Sequence, residues 1–140
     1  MKKFINQVEL VEDQMIQGMV KAYPQYVRKL ECGNVVVRTE KKEGKVALIS
    51  GGGSGHEPAH VGMGMLDAAV AGAVFTSPTP DQIYEGIKAI ATDKGVLMVI
   101  KNYTGDVMNF EMAGEMAQMD DIKVAQVVVN DDVAVDGSLY

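Results

Sequence analysis

Apolar residues follow two rhythms along this chain. Near the start they recur at helical spacing, with Val8, Val11, Met15 and Met19 on one face. Asn6 is placed to cap that helix, and Glu9 stands three residues on, as a capping box requires. Ile5 and Leu10 suit a hydrophobic staple, and Pro24 marks the helix end. Val35-Val36-Val37 predicts a short strand, followed by a charged turn from Glu40 to Gly44. After Gly44 the pattern changes and then repeats. Val46-Ala47-Leu48-Ile49 is an unbroken apolar run, the mark of a strand buried on both faces. Ala73-Val74-Phe75, the run from Val96 to Ile100 and the run from Val124 to Val129 look alike. Helical segments lie between them. Pro58 to Ala71 is rich in small apolar residues. Thr79-Pro80-Asp81-Gln82 opens the next helix, with Ile83, Ile87 and Ile90 on one face. Met108, Met112, Met116 and Met119 line the last, and their spacing predicts core packing rather than a binding groove. The alternation predicts an α/β fold of right-handed βαβ units, with a parallel or mostly parallel sheet and flanking helices.

Composition narrows the function. The 140 residues fit one domain or a fragment of one, and 47% hydrophobic with 23% charged residues is ordinary for a globular chain. Lys+Arg 13 against Asp+Glu 19 gives a net charge of −6, which argues against binding to a nucleic-acid backbone or an anionic membrane. The longest apolar stretch, Ala68 to Phe75, is far short of the ~20 residues of a membrane span. Asn6, Gln7 and Glu9 interrupt the signal-like start Met1-Lys2-Lys3-Phe4-Ile5. Cys32, the single cysteine, cannot form an internal disulfide, which fits a reducing compartment. A cytoplasmic protein is expected.

The residues with chemical character cluster. Gly51-Gly52-Gly53-Ser54-Gly55-His56-Glu57-Pro58 follows the first buried run and Thr76-Ser77-Pro78-Thr79-Pro80 the second. Lys101-Asn102-Tyr103-Thr104-Gly105-Asp106 follows the third and Asn130-Asp131-Asp132 the fourth. In an open parallel sheet the carboxyl ends of the strands share one edge, where ligands bind. The glycines fit neither Gly-x-Gly-x-x-Gly nor a loop ending in Gly-Lys-Ser/Thr. They leave backbone N–H groups for a small anionic or carbonyl-bearing ligand, or else a tight turn. His56-Glu57-Pro58-Ala59-His60 matches the zinc-protease pattern, but Pro58 starts the helix near Glu57 and leaves His56 off the face of His60, with no third ligand in a recognisable place. No metal site is therefore expected. His56 is an acid–base candidate or a structural histidine. Asp106 is a proton acceptor, a cap for a helix starting at Val107, or both; Lys101 suits a carbonyl or phosphate oxygen. Asp131 and Asp132 read as a solvated turn.

Four stretches, Ser50 to Pro58, Phe75 to Pro80, Lys101 to Asp106 and Asp131-Asp132-Val133-Ala134-Val135, together with the start Met1-Lys2-Lys3-Phe4-Ile5-Asn6, resemble the K subunit of the dihydroxyacetone kinase family over the whole chain. The resemblance implies a dihydroxyacetone-binding subunit that presents a substrate hydroxyl for phosphorylation. It implies that Gly53, Ser54, Gly55, His56, Lys101 and Asp106 contact substrate, with His56 and Asp106 as the acid–base pair. No cofactor is implied on this chain; ADP or ATP with Mg belongs to a partner L subunit or fused domain, recharged in bacteria by a phosphotransferase-system carrier. A homodimer is implied as well. The family chain continues beyond Tyr140 and supplies from there a histidine that holds the substrate carbonyl covalently, so residues 1–140 are expected to be the N-terminal part of the K domain. The family also has a few more residues, one aromatic, between His60 and Gly62-Met63-Gly64-Met65-Leu66. The alternative of the same fold is a non-catalytic, dihydroxyacetone-sensing co-regulator.

Overall fold

The computed structural model describes residues 2–53 and 57–130. Among the described residues six strands form one sheet: β1 (Val27–Lys29), β2 (Val35–Arg38), β3 (Ala47–Gly52), β4 (Ala68–Ala71), β5 (Val96–Lys101) and β6 (Val124–Val129). Their order is β1-β2-β4-β3-β5-β6. The four strands β4, β3, β5 and β6 run parallel, while β1 and β2 are added antiparallel beside β4. The sheet is therefore mostly parallel, as the alternation of apolar runs requires.

Three helices flank it: α1 (Val11–Ala22), α2 (Pro80–Ile90) and α3 (Thr104–Met119). Helices α2 and α3 cover one face. Ile83, Ile87, Ile90, Phe110, Ala113 and Ala117 pack there on Val35, Ile49, Val70, Met98 and Ile100. Full burial of each isoleucine contributes ~1.5–3 kcal/mol. Pro80 occupies the first turn of α2, and the backbone N–H of Thr79 donates to Gln82 Oε1 at 3.4 Å. Helix α1 covers the other face near β1, β2 and β4 through Ile16, Met19 and Val20.

The structure corrects the sequence-based expectations in five places. Pro58–Ala71 is not a helix. A single 3-10 turn, Glu57–His60, is followed by a tight reversal and then by β4. The four small residues of β4 are fully buried between β2 and β3, where an all-apolar stretch carries no periodicity to separate strand from helix. Ala73-Val74-Phe75 is accordingly a turn past the strand, not a strand. The methionine stripe of α3 faces outward: Met108, Met112 and Met119 are exposed, and the buried face is Asp106, Phe110, Ala113, Gly114 and Ala117. Small residues let α3 lie close to the sheet, and Gly114 fits against Met98. Strand β6 is the exposed edge of the sheet among the described residues rather than a strand buried on both faces. Finally, α1 starts at Val11 after a 3-10 turn, without a side-chain cap. Asn6 donates to Gln14 Oε1 instead, Ile5 and Leu10 are exposed, and Ile16 rather than Met15 is the buried anchor.

At the amino ends of the strands, the buried carboxylate of Asp67 joins three elements. It accepts from the backbone N–H of Leu48 at 2.8 Å and from Lys45 Nζ at 2.5 Å, and pairs with Arg38 at 3.4 Å. These partners satisfy the charge, as a buried carboxylate requires.

Candidate functional site

The carboxyl ends of β3, β4 and β5 converge with the first turn of α3. Gly51 and Gly52 are the last residues of β3 rather than loop, and Gly53 follows them. Close approach explains all three. A Cβ on Gly51 would lie 2.5 Å from the carbonyl oxygen of Val70. One on Gly53 would strike the backbone at Phe75 and Thr76, and one on Gly52 would strike the Lys101 ammonium. Gly72 N–H donates to the Gly52 carbonyl at 2.9 Å, and Phe75 N–H donates to the Gly53 carbonyl. The segment from Gly72 to Thr79 is thereby laid over the glycines.

Phe75 was expected to end a strand and was given no site role. It has φ 59, a conformation costly for an aromatic residue, and its ring is 96% exposed at the site edge. Asn109 of α3 donates to the Pro78 carbonyl at 2.8 Å and fixes the far end of the same segment.

Asp106 occupies the third position of α3. The helix begins at Thr104, so Asp106 does not cap a helix starting at Val107. It is 3% exposed, and its Oδ1 has no hydrogen-bond partner among the described residues. A buried carboxylate oxygen without a donor is costly, and the helix N-terminus offsets only part of that cost. Such an atom is a ready acceptor for a hydroxyl proton.

Lys101 ends β5. Its Nζ pairs with Glu57 Oε1 across the end of β3; the lysine side chain is 33% exposed and the carboxylate 4%. Glu57 is a site residue that the zinc-pattern reading passed over. Its signal was available: an acidic residue directly before Pro58, at the start of a turn leaving the glycine loop. Asn102 Nδ2 donates to Asn130 Oδ1 at 3.2 Å and ties the ends of β5 and β6.

The structure therefore brings Gly53, Lys101 and Asp106 to one sheet edge. Ser54, Gly55 and His56, and also Asp131 and Asp132, lie outside the described residues. His60 is exposed at the end of the 3-10 turn, and among the described residues no cluster of three metal-ligating side chains occurs. Val61 to Leu66 closes a reversal through Gly62 N–H to the Leu66 carbonyl at 3.0 Å. Val61 and Met63 wall a cavity of about 620 Å³ with Tyr23 and Tyr26.

A mostly parallel sheet with a glycine strand end, a lysine at the next strand end and a buried carboxylate in the following helix is the arrangement in which open α/β sheets take small ligands at the sheet edge. The model of the Dak1 domain matches residues 17–140, and the chain belongs to that family. It is 59% identical over 143 residues to the dihydroxyacetone-binding subunit DhaK of PTS-dependent dihydroxyacetone kinase 1 from Listeria innocua, covering 100% of this chain and 44% of that one. The chain thus spans less than half the length of this relative. The crystal structure of the native dihydroxyacetone kinase of C. freundii superposes with a TM-score of 0.87 at 40% identity, over 98% of this chain and 27% of that one. The dihydroxyacetone kinase operon co-activator Dha-DhaQ superposes with a TM-score of 0.79 at 38% identity, over 88% of this chain and 38% of that one. Among the described residues no helix is long and apolar enough to cross a membrane.

Proposed function

We propose that residues 1–140 form the N-terminal part of a dihydroxyacetone-binding kinase subunit, and that they present a substrate hydroxyl to Asp106. The observation that carries this reading is the buried Asp106 Oδ1, without a partner among the described residues, at the edge where Gly53 and Lys101 also lie. The carboxylate accepts the hydroxyl proton as the oxygen attacks phosphorus. His56 is its acid–base counterpart, and the backbone of Gly53, Ser54 and Gly55 holds the ketose. The Lys101 ammonium donates to a substrate oxygen. Nucleotide and Mg reside on a partner L subunit, recharged by a phosphotransferase-system carrier; the subunit is a cytoplasmic homodimer acting in glycerol metabolism.

Calorimetric titration of the full-length protein with dihydroxyacetone tests the reading. His56→Ala should weaken that binding at least about tenfold, a loss of one charge-assisted hydrogen bond. The melting temperature should stay within a few degrees. A destabilised variant with unimpaired binding would assign His56 a structural role.

The likeness to the operon co-activator favours a second reading, a ligand sensor of the same fold. Phosphoryl transfer to dihydroxyacetone from the nucleotide-loaded partner separates the two. Binding with no transfer establishes the sensor.

A further inference from the structure

We infer that Glu57 sets the charge selectivity of this site. By pairing with Lys101 it keeps the lysine as a hydrogen-bond donor for an uncharged ligand and leaves the site hostile to a phosphorylated one. The inference rests on the proposed function, and it names the selected substrate class as a neutral hydroxyketone.

The geometry carries it. Glu57 begins the 3-10 turn that follows the glycine segment, and its carboxylate is almost fully buried. Lys101 lies folded over Gly52, in the space a side chain there would fill, and meets Glu57 Oε1. An ammonium has three N–H donors, so the pair leaves two for other oxygens. Alone, a lysine at a glycine-rich strand end would attract phosphate. Here Lys101, Glu57 and Asp106 together sum to −1 among the described residues. A neutral triose gains donors there without adding charge. Its phosphorylated product meets two carboxylates, so repulsion assists release after transfer. In a partly desolvated site this repulsion is screened less than at an open surface.

The test compares dihydroxyacetone, dihydroxyacetone phosphate and inorganic phosphate by calorimetry on the full-length protein. Wild type should bind dihydroxyacetone more tightly than its phosphate, and added salt should narrow the gap. Binding of the phosphorylated ketone as tight as that of the neutral one overturns the inference without any variant. Glu57→Gln should shift the ratio toward the phosphorylated ligand by about tenfold or more. The double variant Glu57→Gln with Lys101→Met removes one charge of each sign and should move the ratio back toward the neutral ligand, while both ligands bind more weakly for want of the Lys101 donor. A merely structural Glu57 would lower stability and leave the ratio within about twofold, which refutes the assignment. Absence of any dihydroxyacetone binding by wild type defeats the functional reading instead. The role of Glu57 is then decided by inorganic phosphate, which Glu57→Gln should bind about tenfold more tightly than wild type.

Discussion

Asp106→Asn in the full-length protein is expected to lower phosphoryl transfer to dihydroxyacetone by ~10²–10⁴-fold. Asparagine keeps the shape and the buried position but cannot take a proton. The native carboxylate carries a buried Oδ1 with no donor among the described residues, so the substitution removes a buried charge that the helix N-terminus offsets only in part. The melting temperature should therefore hold or rise while activity falls. That opposition of effects marks a group held for chemistry rather than for folding. Steady-state rates and a thermal melt on one preparation measure both. Turnover within about threefold of wild type would remove Asp106 from the role of base.

Phe110→Ala is expected to destabilise the domain by ~3–5 kcal/mol, the usual cost of emptying an aromatic site in a core. Phe110 is the largest fully buried side chain among the described residues. It lies four residues after Asp106 on the buried face of α3, and its ring packs 3.3 Å from where a Cβ on Gly51 would stand. The loss is a large share of the ~5–15 kcal/mol that holds a domain together. Because the ring seats the first turns of α3 against β3, Asp106 shifts as well. Denaturant unfolding gives the energy. A midpoint change worth less than ~1 kcal/mol would mean that neighbouring side chains collapse into the space.

Much of this was legible in the chain. Val96–Ile100 and Thr79–Ile90 stand where apolar runs and capping chemistry placed them. The clustering of Gly53, Lys101 and Asp106 followed from the alternation of strand and helix alone. What failed did so for identifiable reasons. Ala68–Ala71 is apolar throughout, so neither period distinguishes its state, and its neighbours decided it. The α3 methionines obey helical spacing, but so do Phe110, Ala113, Gly114 and Ala117 on the opposite face. Helix-to-sheet approach favours the small residues, and this tertiary fact is invisible in one helix. The pairing of Glu57 with Lys101 spans 44 positions and could not come from local pattern. The positive φ of Phe75 has no glycine or asparagine to announce it.

The placement of β6 has a consequence for backbone amide exchange. Strand β3 lies inside the sheet between β4 and β5, whereas β6 pairs with β5 alone among the described residues and exposes most of its side chains. In the chain of 140 residues, amides of β3 that bond to β4 or β5 should exchange only through global unfolding. Alternate amides of β6 that point away from β5 should exchange within the dead time of a manual experiment, and the rest through local opening of the edge. Asn130 follows β6 and bonds to Asn102 beside Lys101, so each opening of that edge also loosens the rim of the site. The slowest-exchanging backbone and the ligand edge thus meet along the length of β5, protected from one side and renewed from the other. Uniform protection across β3 and β6 would show that the edge is covered in solution.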